Sequence, residues 1–259
     1  DKEVNLVLDG IVDTATGETV SPAEMAARLA DVGLMFVGES HTSIEYHRVQ
    51  LRVIQELNKA GREVMIGLEM FPYTQQAALD KWIDGDQSEQ AFVDEAEWYK
   101  YWGYNWEYYR EIFVYARENG LRMYGVNTPR DVVSAVRKKG FKDLTPEEAE
   151  HIPHRVMPVT DDQRALYKSF FDPEDALHMS EDRLEGMLRA QTTWDATMGW
   201  NALQALLNNG GDNAIMVVLI GSGHVTYGLG SERQTAPYYE GNIASLIPVQ
   251  IVDDDGVPV

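Results

Sequence analysis

Short apolar runs alternate along this chain with stretches of helical periodicity. Residues 34–37, 64–68 and 214–220 are compact apolar runs bounded by glycine or polar positions, and 121–126 is a similar run interrupted by Arg122. Runs of that length predict buried strands. Between them, apolar residues return every three or four positions. Ile44, Val49, Val53, Ile54 and Leu57 predict a helix over 44–60 that Gly61 stops. The same periodicity predicts helices over 75–83, 87–95, 106–118, 129–139, 161–171 and 180–207. Ser21-Pro22-Ala23-Glu24 and Thr145-Pro146-Glu147-Glu148 each read as a helix start, with a capping box and proline at the first helical position. The chain opens as a hairpin, with apolar 5–8 and 11–13, turn residues at 14–17 and a return over 18–20. Residues 247–252 predict a last strand.

Strand–helix alternation of this kind predicts an α/β fold with a mostly parallel central sheet and helices on both faces. The N-terminal β-hairpin is expected to add antiparallel edge strands. From about 72 to 209 the chain is helix-heavy with one clear strand. That stretch reads as a helical insertion over one end of the sheet, inside a single domain spanning 1–259. No fixed-period repeat or low-complexity tract interrupts it.

Charge narrows the partners. The 259 residues carry 22 Lys+Arg against 42 Asp+Glu, a net charge of −20. Nucleic-acid binding and docking on an anionic membrane both need clustered positive charge, so neither is expected. There is no cysteine, which removes disulfides, thiolate chemistry and cysteine-held metal. The longest apolar run, 214–220, is too short to span a bilayer. The first residues, Asp1-Lys2-Glu3-Val4-Asn5, contain no apolar leader. Any membrane attachment would have to come from a lipid anchor outside this sequence. The Asp253-Asp254-Asp255 run reads as a solvated tail.

In open α/β sheets, ligands sit beyond the carboxyl ends of the strands. Four predicted strands end in polar groups: Gly38-Glu39-Ser40-His41, Glu69, Asn127-Thr128-Pro129-Arg130 and Gly221-Ser222-Gly223-His224. Two of these share the pattern Gly-x-x-His. If Glu39, His41, Glu69 and His224 converge, they could hold a divalent metal (Zn, Mn, Fe or Co) through mixed N/O ligands. A metal-free alternative has a Glu–His pair activating water. The bland reading is that His41 caps a helix, Glu39 pairs with Arg130 and His224 fills a turn. Gln191 and Asp195, one turn apart on a helix, could orient the histidines from behind.

Residues 97–109 hold eight aromatics: Trp98, Tyr99, Tyr101, Trp102, Tyr104, Trp106, Tyr108 and Tyr109. Trp98, Trp102 and Trp106 would form one stripe on a helix. Such a stripe suits a packed core, the face of a homodimer or the wall of a haem site. Tyr99, Tyr101, Tyr104 and Tyr108 offer phenols that could ligate ferric iron. His154, in a turn with His151 around Pro153, could touch a haem propionate. His47 could be a third imidazole at the crevice or a surface group, and His178 reads as structural. No Gly-x-Gly-x-x-Gly, phosphate loop or nucleophile elbow is present.

Five strings together resemble the ChaN-like haem-binding family. They are Phe36-Val37-Gly38-Glu39-Ser40-His41, Gly67-Leu68-Glu69-Met70-Phe71, Asn127-Thr128-Pro129-Arg130, the run from Gln191 to Met198, and Ile220-Gly221-Ser222-Gly223-His224-Val225. They fall in family order across nearly the whole chain. The family sits in a wider group with the Tiki metalloproteases and erythromycin esterases. One stretch departs: the last motif usually continues into Arg-Leu near a proline, whereas Gly230-Ser231-Glu232-Arg233-Gln234 precedes Pro237 here.

The resemblance implies a haem-binding protein of bacterial iron uptake, a lipoprotein of the periplasm or outer membrane. It would keep a polar crevice of Glu39, His41, Glu69 and His224, with Asn127, Arg130, Gln191 and Asp195 behind them. Its alternative is a metal-dependent or Glu/His-dependent hydrolase of peptidase or esterase type. In that case the ligand is a small molecule or peptide, and Glu39 is the base.

Overall fold

A computed structural model describes residues 10–85, 87–172, 174 and 178–251. Strands are β1 (Ile11–Asp13), β2 (Glu18–Val20), β3 (Val32–Glu39), β4 (Glu63–Pro72), β5 (Met123–Asn127), β6 (Ala214–Gly221) and β7 (Asn242–Leu246). The last five form one sheet in the order β5-β4-β6-β3-β7, and every neighbouring pair is parallel. The hairpin β1–β2 departs from expectation, because it forms its own two-stranded sheet and adds no strand to the main one.

Both faces of the sheet are covered, which is why its central strands read as unbroken apolar runs. All eight residues of β6 are buried. In β3, Met35 and Val37 enter one core with Val53, Ile54 and Leu57 of the helix Ile44–Lys59. Leu34 and Phe36 enter the other, with Met198 and Ala202 of the long helix Glu181–Asn209. The predicted capping boxes form at Ser21 and Thr145. The long helix is capped by Ser180 and lies close to the helix Ser231–Thr235. At that crossing a Cβ on Gly199 would fall 2.0 Å from Thr235 Oγ1, so only glycine fits.

Several boundaries depart from the sequence pattern, and β4, predicted over 64–68, runs on to Pro72. The predicted helix over 106–118 is a 3-10 turn, Trp106–Tyr108, followed by the helix Arg110–Glu118. Upstream, a single helical turn at Trp98–Tyr101 ends at Gly103, whose φ is +85°. Trp98, Trp102 and Trp106 therefore do not lie on one helix. Trp98 and Trp106 instead join Phe71, Trp82, Phe92 and Phe113 in a buried aromatic cluster. The helix predicted over 161–171 stops at Lys168.

The last strand lies at Asn242–Leu246, upstream of 247–252. It is a half-exposed edge strand, so its apolar signal is weak. Predictions for 5–8, Val252 and Asp253–Asp255 fall outside the described residues. Among the described residues, no helix is long and apolar enough to cross a membrane.

Candidate functional site

Three strands place polar groups at one end of the sheet. β3 ends at Glu39, and a turn then carries His41. The pairing of β4 with β6 stops at Leu68 opposite Leu219, and its register with β5 shifts between Leu68 and Pro72. Glu69 stands in that irregular stretch. β6 ends at Gly221, and a 3-10 turn over Ser222–His224 carries the second histidine. These groups converge on Gly221. A Cβ there would lie 3.1 Å from His41 Cε1, 3.6 Å from Glu69 Oε2 and 3.6 Å from His224 Cδ2.

Each histidine is held by a carboxylate behind it. His41 Nδ1 is hydrogen-bonded to Glu39 Oε1. Tyr109 donates its hydroxyl to the same oxygen at 3.4 Å. Glu39 Oε2 is buried and has no hydrogen-bond partner. His47 Nε2 lies 3.9 Å from that oxygen. The ring of His47 is itself set by Gln50, whose Oε1 is 3.2 Å from Nδ1 and whose amide donates to the Val37 carbonyl.

On the other side, His224 Nδ1 is 2.7 Å from Asp195 Oδ1, and the Gln191 amide is 2.9 Å from the same nitrogen. His224 Nε2 faces Glu69 Oε1 at 3.4 Å. The other Glu69 oxygen accepts the Gly221 amide at 2.6 Å. Gln163 donates to Asp195 Oδ2 at 3.4 Å, and Arg233 donates to Gln163 Oε1 at 3.0 Å.

The electrostatics follow this pairing. Burial acts against a charged His224, but Glu69 and Asp195 outweigh it and lift its pKa to about 10. Burial likewise opposes charge on Glu69, yet His224 and His41 hold that carboxyl below its ordinary range. For Asp195, burial wins and raises the pKa despite His224. His41 is desolvated too, but Glu39 and Glu69 raise it above the usual imidazole value. Burial, with Glu39 adding to it, pushes the Tyr109 phenol far up.

Other expected site residues lie at varied distances from this crevice. Asn127 donates to the Glu69 carbonyl at 2.9 Å and so steadies the irregular end of β4. Arg130 turns to the carbonyls of Lys100 and Tyr101 and makes no ion pair with Glu39. Trp102 and Tyr104 stand over His41, with ring centroids at 4.7 and 4.9 Å. Tyr108 stacks beside His47 at 6.3 Å. Tyr101 receives the Gln75 amide at 3.0 Å, and Tyr99 points to solvent. His154 packs against Trp200 and Tyr238, and His151 meets the Tyr73 hydroxyl at 2.6 Å. His178 is exposed.

Ligand atoms of Glu39, His41 and Glu69 all lie within 4.8 Å of one another, close enough to share a cation. His224 faces this group across Glu69. The sequence carries no signal for Gln163 and none that separates Tyr109 from the other aromatics of 97–109, because both act from distant elements. Nor does it mark Tyr227, three residues after His224, which is 83% exposed with φ of +57°.

The fold is similar to that of ChaN from Campylobacter jejuni, solved for its cofacial haem binding. The two are 17% identical with a TM-score of 0.72, over 96% of this chain and 94% of that one. An erythromycin esterase in its open conformation is also similar, at 14% identity and a TM-score of 0.51, over 86% and 72% of the two chains. Among curated proteins, the chloroplastic protein RETICULATA-RELATED 5 of Arabidopsis thaliana is 21% identical over 218 residues. That match covers 78% of this chain, which spans 28% of the relative's length. The family described as haem-binding uptake, Tiki superfamily, ChaN matches residues 25–234, a span holding Glu39, His41, Glu69, Asp195 and His224, and the chain belongs to that family.

Proposed function

We propose that this protein binds haem at the mouth of the His/Glu crevice, as a component of bacterial iron uptake at the cell envelope. Family membership supports haem as the ligand class. The space between Glu39, His41 and Glu69 is on the scale of one ion, far too narrow for a porphyrin. The plate must therefore lie outside.

The exposed Tyr227 carries this assignment. Its phenol is free to approach iron, and tyrosinate is an established axial ligand of ferric haem. Phe170, 51% exposed, comes 3.5 Å from where a Cβ of Gly223 would stand, so a second ring flanks the turn that carries His224. Tyr104 and Trp102 offer aromatic edges on the His41 side of the mouth. Tyr99, Tyr101, Tyr108 and His154 are further contacts in this reading.

Hemin titration tests it. A saturable Soret band should appear, and Tyr227→Phe should abolish its tyrosinate character while Tyr99→Phe leaves it intact. No saturable band would reject haem binding. An unchanged band in Tyr227→Phe would reject the ligand assignment.

A second reading rests on the Glu39–His41–Glu69 gap. Two carboxylates and an imidazole suit Zn, Mn, Fe or Co, and a bound cation would lower the pKa of water for hydrolysis. Glu39 would then steady His41 as much as act as a base, since its Oε1 is already engaged. Metal content of the purified protein, compared with Glu69→Gln and His41→Ala, decides this reading. Nil or unchanged metal ends it.

A further inference from the structure

A second hollow lies at the opposite end of the sheet, by the start of β3, β4 and β6. Its volume is about 270 Å³, near the lower end of small-molecule sites, about 300 Å³. Arg62 lies in its wall. This guanidinium donates to four main-chain carbonyls: Leu29 at 2.6 Å, Val32 at 2.7 Å, Ala214 at 2.9 Å and Asn213 at 3.0 Å. A guanidinium has about five N–H donors, so one remains on Nη1. Among the described residues no carboxylate pairs with it, and Asp31 acts on it only through space. Neutral carbonyls solvate this half-buried positive charge without cancelling it, so it still attracts an anionic group.

Beside it stands Tyr239, whose ring is seated against backbone. A Cβ on Gly33 would fall 2.0 Å from the Tyr239 hydroxyl oxygen, so glycine alone admits the phenol here. No hydrogen bond within the described residues engages that hydroxyl. The rim carries Asp212, exposed and without a salt bridge among the described residues, and Asp31, which holds Asn242 at 2.8 Å through one oxygen. Leu206 and Leu207 supply an apolar wall, and Leu207 is 58% exposed. A positive group in the wall, a free hydroxyl, an acidic rim and an apolar side make a dipolar site.

We propose that this hollow binds a small zwitterion of the amino-acid class, its carboxylate on Arg62 and Tyr239 and its ammonium toward Asp31 and Asp212. The site is separate from the His/Glu crevice and independent of the haem reading. A simple anion would be repelled by the two aspartates, and a simple amine by Arg62.

L-leucine, isocaproate and isoamylamine serve as probes, followed by amide chemical shifts of the full chain. L-leucine should shift Val32, Gly210 and Asp212 saturably, and each single-ended analogue should bind at least about tenfold more weakly. Tyr239→Phe and Asp212→Asn should each weaken L-leucine about fivefold, the effect of one lost polar contact, with an otherwise unchanged spectrum. Absence of a saturable shift overturns the proposal. So does equal binding of the single-ended analogues, or indifference of both variants.

Discussion

His224 rests its Nδ1 on Asp195 Oδ1 at 2.7 Å, where Asp195 is almost wholly buried and His224 largely so. The contact leaves Nε2 facing Glu69 and fixes which edge of the ring the crevice sees. It also couples stability to pH. The pKa of His224 is raised from 6.5 to about 10 in the folded chain. Its contribution is therefore complete below the ordinary imidazole value and is lost as pH climbs through about 10. Asp195→Asn should destabilise the fold by about 3 kcal/mol near pH 7, because a buried imidazolium loses a partner. The same variant should flatten the alkaline fall in stability. Urea denaturation across pH measures both effects, and an unchanged alkaline slope would contradict the pairing.

Gly221 and Gly230 separate two kinds of crowding. A Cβ at Gly221 meets the edge of His41, a side chain 30% exposed that can shift. Gly221→Ala should cost only about 1 kcal/mol. It should nevertheless displace His41 from Glu39, visible in imidazole ¹⁵N shifts. At Gly230 the Cβ would fall 2.0 Å from the His224 carbonyl oxygen, which is backbone and cannot yield. Gly230→Ala should cost about 4 kcal/mol or prevent folding. Comparable stabilities for the two variants would refute the distinction.

Neighbouring aromatics should answer very differently to truncation. Trp98 is fully buried, donates its indole N–H to the Tyr104 carbonyl at 2.7 Å and touches Phe71, Trp106 and Phe113. Trp98→Ala should cost about 3–5 kcal/mol. Tyr99, 59% exposed, should change stability by no more than about 0.5 kcal/mol when cut to alanine. Thermal or chemical denaturation of the pair reads this directly.

Tyr109 supports the floor of the crevice without framing its mouth. Its hydroxyl reaches Glu39 Oε1 and the His41 carbonyl, each at 3.4 Å, so both bonds are long. Tyr109→Phe should cost about 1 kcal/mol and keep the fold. The variant should leave the hemin titration unchanged, since the phenol is buried. A lost Soret band in Tyr109→Phe would move the haem assignment inward.

Several features needed no tertiary information. Residues 34–37, 64–68 and 214–220 are apolar throughout because their strands are buried on both faces, and that signal survives in one dimension. Strand ends are legible only to within a few residues, since β4 runs on to Pro72 with Glu69 inside it, yet Glu39, His41, Glu69 and His224 could be singled out from their positions. Capping boxes at Ser21 and Thr145 are local chemistry and formed as their residues dictate.

Tertiary structure decided the rest. Periodicity alone continues an aromatic stripe through 98–106, but Gly103 turns left-handed and burial drives Trp98 and Trp106 into one cluster. The edge strand Asn242–Leu246 carries little apolar signal because one side of its pairing is open. The convergence on Gly221, the choice of Asp195 as His224's partner and the exposure of Tyr227 all depend on elements far apart in the chain. Spacing names the residues, but only packing sets which ring nitrogen is held, which charge is paired and which phenol meets solvent.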